Sequence, residues 1–114
     1  MDGSLSYKDA RNDPEIWAKI SAIEHHFEMI GILVQNGYLS ANLVYDQMGL
    51  WIAGTWAKLE SLIATHRGTT HAPDYAENFE ILVRDFDKWM ARNPPKLEKR
   101  ARTSKQAITR YYAK

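Results

Sequence analysis

The feature that most constrains this sequence is an apolar stripe that recurs every three or four residues between Asp13 and Gly37. Its members are Ile16, Ile20, Ile23, Phe27, Ile30 and Val34. This spacing places the side chains on one face of an α-helix. Asp13 suits the N-cap, Pro14 suits the first helical position, and Gly37 suits a left-handed stop. We therefore predict one long amphipathic helix over this stretch.

The second half of this helix is apolar on nearly every side, because Met29, Ile32 and Leu33 add to the stripe. A helix that lacks a polar face must be covered on several sides. We therefore predict that it is the central helix of a bundle.

Two further helices follow in the sequence. Ser40 is a good N-cap for the second helix, and Gly68 is predicted to close it. The apolar positions of the second helix are Leu43, Val44, Met48, Trp51, Ile52, Thr55, Trp56, Leu59, Leu62 and Ile63. The third helix is predicted to start at Asp74 or a neighbour and to end before Pro94, because the residue before a proline avoids helical geometry. Its buried stripe is predicted to contain Tyr75, Phe79, Leu82, Phe86 and Trp89 or Met90.

Length and charge divide the chain into three parts. A chain of 114 residues, 45% hydrophobic and 25% charged, has the composition of one soluble globular domain. Residues 1–12 lack periodicity and are predicted to form a flexible arm that Leu5 and Tyr7 can pin to the body. Residues 13–93 form the predicted bundle; residues 1–93 carry eight basic and thirteen acidic side chains, a net charge of −5. Residues 94–114 carry seven basic side chains and one acidic, a net charge of +6.

The predicted fold class is all-α. The short connection between the first two helices favours antiparallel packing. Leu97, Ala101, Ser104, Ile108 and Tyr111 keep helical spacing in the basic segment. We therefore predict an antiparallel three-helix bundle with an additional basic C-terminal helix or tail.

Several classes of chemistry find no support in the sequence. The chain has no cysteine, hence no disulfide, thiolate metal site or thiol nucleophile. No nucleophile elbow and no Gly-rich phosphate loop is present. The longest apolar run, Met29 to Val34, is far shorter than the ~20 residues that span a bilayer. We therefore expect a cytoplasmic protein without enzymatic activity, cofactor or membrane span.

The densest group of metal-ligand residue types is Glu24-His25-His26-Phe27-Glu28. Glu24 and Glu28 share a helix face, so they can meet one ion. Di-iron carboxylate bundles, however, use a glutamate followed three residues later by a histidine on two helices, and that order is absent. We expect these residues to be solvated or hydrogen-bonded rather than to hold a metal.

One set of residues resembles a known family. In order along the chain, the set is Phe27-Glu28, Gly31, Leu33-Val34, Gly37, Trp56, Leu59, Ile63, Arg67, Tyr75, Asn78-Phe79 and Leu82. This order is similar to that of an uncharacterised bacterial family of short helical proteins known as a domain of unknown function. Its members often carry an N-terminal membrane helix, which we do not expect in this chain. The resemblance implies a helical fold over roughly Pro14 to Trp89 and implies no activity.

Three polar positions within that resemblance, Glu28, Arg67 and Asn78, are candidate structural residues. Glu28 flanks the central stripe beside Phe27, so we expect it to be partly buried. An unpaired buried carboxylate is unfavourable. We therefore predict that Glu28 bonds to a side chain or to a helix end.

Candidate partner-binding residues lie at Trp17 and in the basic segment. Trp17 lies one position off the main stripe, and exposed tryptophan is enriched at interaction hot spots. The candidates in the basic segment are Lys99, Arg100, Arg102, Lys105, Arg110, Tyr111 and Tyr112. These side chains could bind an acidic protein, including a second copy of the chain, or they could bind a nucleic acid. In a third interpretation they bind nothing and only keep the end of a helix soluble.

The sequence favours a small non-enzymatic protein-interaction module of bacterial, phage or mobile-element origin, acting as an inhibitor or adaptor. The alternative is a nucleic-acid-binding protein that uses residues 96–114. The acidic body disfavours wrapping of nucleic acid around the whole molecule. The other aromatic side chains are predicted to be core.

Overall fold

The computed structural model describes residues 6–93. It is all-α over this range, with helices α1 (Tyr7–Asn12), α2 (Pro14–Gln35), α3 (Ala41–Thr69) and α4 (Glu77–Arg92) and no strand. Four helices are therefore present within residues 6–93, where three were predicted. Residues 94–114, for which a basic helix or tail is predicted, lie outside the described range.

Helix α2 begins and ends as its sequence predicts. The Asp13 carboxylate accepts hydrogen bonds from the backbone N–H groups of Glu15 and Ile16 at 3.1 and 3.2 Å, and Pro14 occupies the first turn. Beyond the helix end, Gly37 has a φ of 78°, the left-handed conformation that favours glycine. The start of α3 is also as predicted, since the Ser40 hydroxyl accepts from the Leu43 N–H at 3.2 Å.

Three boundaries differ from the prediction. Helix α3 continues through Gly68 to Thr69, so this glycine is inside the helix, and His71 takes the left-handed conformation instead. Helix α4 starts at Glu77 after Ala76, which has a φ of 60° and makes no side-chain capping bond. The predicted arm contains helix α1, which is capped by the hydroxyl of Ser6.

Helix α4, not α2, is central to the core. It packs against both α2 and α3, while the short α1 packs against the same two helices. Its apolar side chains Phe79, Leu82, Phe86 and Trp89 are all buried. The prediction that α2 is covered on several sides is wrong, because Ile23, Met29 and Ile32 are exposed. The apolar surface of α2 exceeds what its neighbours cover.

Two glycines allow the close approach of α4. A Cβ atom at Gly49 of α3 would overlap the ring of Phe86, and a Cβ at Gly31 of α2 would overlap the backbone carbonyl of Asn78. Helices α2 and α3 also meet directly where the rings of Phe27 and Trp51 lie edge to face, with centroids 5.1 Å apart. The core is therefore closed by contacts from both sides of α4.

Candidate functional site

The first turn of α4 is capped by a side chain from α2. Ala76 offers no side-chain acceptor, and Glu28 supplies one from the neighbouring helix. The Glu28 carboxylate accepts the backbone N–H of Phe79 at 2.9 Å with one oxygen and the side-chain amide of Asn78 at 2.6 Å with the other. A carboxylate at a helix N-terminus also interacts favourably with the helix dipole. We call this group of three residues the interhelical cap.

Two more residues of α2 hold Asn78 in the orientation that the interhelical cap requires. The side-chain amide of Gln35 donates to the Asn78 side-chain oxygen at 2.7 Å and to the Gly31 carbonyl at 3.2 Å. Because Gly31 has no side chain, the Asn78 backbone fits against α2 at this point. Glu28, Gly31 and Gln35 are spaced three and four residues apart, so they lie on one face of the helix.

Arg67 connects the end of α3 to the same region. Its Nε donates to the Tyr75 carbonyl at 2.7 Å, and its Nη1 lies 2.8 Å from Glu80 Oε1. The hydrogen bond from Arg67 is the largest effect that holds the pKa of Glu80 below its usual value. Glu28, Asn78 and Arg67, which the sequence singles out as structural, therefore converge on the start of α4.

An aromatic cluster, formed by Tyr7, Trp17, His66 and Tyr75, packs α1 against α2, α3 and the α3–α4 connection. The Tyr7 hydroxyl lies 2.9 Å from His66 Nδ1. The His66 ring lies 5.0 Å from Trp17 and 4.5 Å from Tyr75 between centroids. Burial, and then the charge of Arg11, lowers the pKa of His66.

Trp17 is thus a partly buried member of this cluster, with the Arg11 guanidinium 4.7 Å above its ring centroid. From the sequence, Trp17 was the tryptophan expected to be exposed at the surface. Its ring instead packs within the molecule, and its role in partner binding stays a prediction.

Glu24 lies one helical turn before Glu28 and is the only charged residue within 6–93 that is buried, with 7% of its surface exposed. Its carboxylate makes no hydrogen bond or ion pair within that range. Burial, and then the negative charge of Glu28, raises the pKa of Glu24. Within residues 6–93 no group of three or more histidine, aspartate or glutamate side chains is placed to hold a metal ion.

A second surface feature lies on α3, where Leu43, Leu50 and Trp51 are 59%, 51% and 58% exposed. We call these residues the α3 surface. Trp51 was predicted to be core, so this prediction is wrong. Its ring is nevertheless oriented by the edge-to-face contact with Phe27. The next residue, Ile52, is buried. Because ten positions of this helix fitted the apolar periodicity, the pattern could not show that Ile52 is buried and Trp51 exposed.

The candidates in the basic segment, from Lys99 to Tyr112, lie outside the residues that the structure describes. Their predicted binding roles stay predictions. Within residues 6–93, none of the four helices combines the length and hydropathy that crossing a bilayer requires.

The fold and these contacts define a small all-α domain in which one helix caps the start of another. The chain belongs to the family described as "Domain of unknown function (DUF4760)", whose model matches residues 2–89. The family resemblance seen in the sequence is thereby confirmed, and the match includes α1 as well as α2, α3 and most of α4. No curated protein and no solved structure matches the chain.

Proposed function

We propose that this protein is a non-enzymatic interaction module that binds a protein partner through the α3 surface. The observation that carries the proposal is the 58% exposure of Trp51 in a fixed orientation against Phe27. Tryptophan is enriched among the few residues that dominate binding energy. A side chain already oriented by its neighbours loses less conformational entropy on binding.

Leucine side chains extend this apolar feature along the helix. Leu43 and Leu50 are seven residues apart, which is two helical turns, so they project on the same side of α3. Burying one such side chain fully contributes roughly 1.5–3 kcal/mol. Exposed apolar side chains grouped on one surface are characteristic of interaction sites.

The basic segment is a second contact in this proposal. Residues 94–114 carry a net charge of +6 against −5 for the rest of the chain. Opposite charges raise association rates and exclude wrongly charged partners. We propose that this segment, as a basic helix or tail after an antiparallel bundle, directs the module toward an acidic partner in the cytoplasm, as an inhibitor or adaptor of phage or mobile-element origin would require.

The experiment compares one substitution on the α3 surface with one outside it. A purified partner from the native host is titrated against the wild type, Trp51→Ala and Lys58→Ala, the last being an exposed control on the same helix. We expect Trp51→Ala to weaken binding about thirtyfold, which corresponds to ~2 kcal/mol. Lys58→Ala should bind within about threefold of wild type.

Light scattering on the free protein determines whether the partner is a second copy. A concentration-dependent dimer that Trp51→Ala dissociates and Lys58→Ala does not would make the chain its own partner. A partner that binds Trp51→Ala as tightly as the wild type contradicts the use of the α3 surface.

A further inference from the structure

Few contacts hold helix α1 against the body. The Tyr7 ring lies edge to face on Trp17, with centroids 5.9 Å apart, and the Tyr7 hydroxyl lies 2.9 Å from His66 Nδ1. Ala10 is fully buried, and the Arg11 guanidinium lies 4.7 Å from the centroid of the Trp17 ring. A helix of six residues is not stable alone in water, since isolated helices shorter than ~12–15 residues are marginal. Helix α1 therefore depends on these contacts for its structure.

Helix α1 also covers Trp17. Within residues 6–93, two of the three aromatic or cationic side chains against the Trp17 ring, Tyr7 and Arg11, belong to α1. The third is His66 of α3, whose ring centroid lies 5.0 Å from that of Trp17. Release of α1 would therefore expose the tryptophan for which the sequence predicts a role in partner binding.

The His66 imidazole lies within this contact. Tyr7 and Arg11 of α1 both act on it, and the ring of Tyr75, in the α3–α4 connection, lies 4.5 Å away between centroids. Within residues 6–93, Arg11 is the charged group that shifts the pKa of His66, whereas the Glu24 carboxylate acts on Tyr75. The charge nearest in effect to His66 is therefore positive, like the charge that His66 gains on protonation.

We propose that α1 is a pH-controlled cover for Trp17: protonation of His66 weakens the docking of α1 and so exposes the Trp17 ring. With Nδ1 unprotonated, the imidazole accepts the Tyr7 O–H; the imidazolium has no acceptor, so this bond cannot form in that direction. The imidazolium also adds a second positive charge near Arg11 in a partly buried site. Undocking of α1 relieves both effects, because it separates Tyr7 and Arg11 from the imidazole and admits water.

The pH dependence has a defined sign. Burial, and then the charge of Arg11, lowers the pKa of His66 in the docked form, whereas an exposed histidine has a pKa of about 6.5. The undocked form therefore binds the proton more readily. Docking should be at full strength above pH ~6.5 and should weaken as the pH falls from there toward the lower pKa of the docked form.

Cysteine labelling tests this cover in the full chain, which has no cysteine of its own. Ala10→Cys places a thiol at the fully buried position of α1, and Lys8→Cys places one at an exposed position of the same helix. Both thiols are labelled with a maleimide at each pH. The ratio of the two rates cancels the pH dependence of the thiol chemistry and reports the fraction of α1 that is undocked. We expect this ratio to rise as the pH is lowered from about 8 to about 5.

Variants of the titrating group provide matched controls for the Ala10→Cys protein. His66→Phe keeps an aromatic ring but cannot titrate, so it should lose the rise. His71→Asn replaces an exposed histidine of the α3–α4 connection, where a φ of 55° suits asparagine, and should keep the rise. Arg11→Gln should make the rise smaller, because it removes the charge that opposes protonation in the docked form.

Two results would overturn the proposal: a ratio that is constant between about pH 8 and about pH 5, or a rise that persists in His66→Phe. If Ala10→Cys itself prevents docking, fluorine NMR of the 5-fluorotryptophan protein decides. On acidification the Trp17 resonance should acquire a solvent isotope shift while that of the buried Trp89 does not, and a Trp17 resonance without this change rejects the cover. None of these measurements involves Trp51, so failure of the cover is distinguishable from failure of the α3 surface.

Discussion

Replacement of Glu28 by alanine tests the interhelical cap. The substitution removes the acceptor for the Phe79 N–H and for the Asn78 amide, which lie 2.9 and 2.6 Å from the carboxylate. Loss of an N-cap side chain costs about 0.5–2 kcal/mol, and hydrogen bonds to a charged group contribute about 1.5–3 kcal/mol. Because both donors are only partly buried, water recovers some of this loss. We expect Glu28→Ala to lower the free energy of unfolding by about 2–3 kcal/mol.

Glu28→Gln refines the test. A glutamine can still accept the Phe79 N–H, but its own amide then faces the Asn78 amide. Asn78 cannot invert to meet it without breaking the bond from Gln35 at 2.7 Å. We therefore expect a loss of about 1–2 kcal/mol, smaller than for alanine but not negligible.

Urea unfolding followed by circular dichroism measures both variants. The matched control is Glu15→Ala, which removes an exposed carboxylate 3.6 Å from Lys19 on the same helix. This control should change the free energy of unfolding by less than about 0.5 kcal/mol. Hydrogen exchange should also accelerate selectively in the first turn of α4. If Glu28→Ala is as stable as Glu15→Ala, the proposed role of the interhelical cap is incorrect.

Two other predictions rest on the structure and a third on the charge of the basic segment. Gly31→Ala should destabilise the fold by about 1–3 kcal/mol, because the new Cβ atom would clash with Asn78. Gly54→Ala should stabilise it by about 0.5–1 kcal/mol, because a Cβ atom there would meet nothing within 4 Å. Equal thermal unfolding midpoints for the two variants would contradict this. Glu24→Gln should stabilise the protein at pH 7, because the raised folded-state pKa of Glu24 shows that its ionisation is unfavourable in the folded protein. The gain in the free energy of unfolding should vanish below pH ~4, where the carboxyl is protonated in both the folded and the unfolded state. A gain that is independent of pH would rule this out. If the nucleic-acid alternative is correct, deletion of residues 94–114 should abolish binding to single- and double-stranded DNA at low salt; absence of binding by the full chain removes that alternative.

Local features of the sequence predicted the local features of the fold. Asp13, Pro14, Gly37 and Ser40 act within one turn of themselves, so their effects can be read without knowing what packs nearby. The buried stripe of α4 was also predicted, since its apolar residues are separated clearly from its charged ones. The all-α class follows from these elements.

The errors concern which surfaces meet. The position of α4 between α2 and α3 depends on the fit of Phe86 at Gly49 and of Asn78 at Gly31, which periodicity does not encode. The left-handed conformation of Ala76 has no local signal, because alanine does not favour it. It is compatible with a stable helix because Glu28, some fifty residues earlier, supplies the cap.

The candidate sites were predicted only in part. Glu28 was expected to bond to a side chain or to a helix end because a flanking carboxylate needs a partner, and it bonds to the Asn78 side chain and to the Phe79 N–H at the start of α4. Trp17 was expected at the surface and Trp51 in the core, whereas Trp17 is partly buried and Trp51 is exposed. Helix α1 covers Trp17 through Tyr7, and it has too few residues for periodicity to reveal it. In the sequence, Glu24 was noted only as a member of the Glu24–Glu28 group of possible metal ligands.

Fluorine NMR of protein labelled with 5-fluorotryptophan tests the central claim most directly. The chain has four tryptophans, and each resonance can be assigned by a single Trp→Phe substitution. We predict that a stoichiometric amount of the purified partner shifts or broadens the Trp51 resonance and leaves that of the buried Trp89 unchanged. A saturated complex in which the Trp51 resonance keeps its free position and width would contradict binding through the α3 surface.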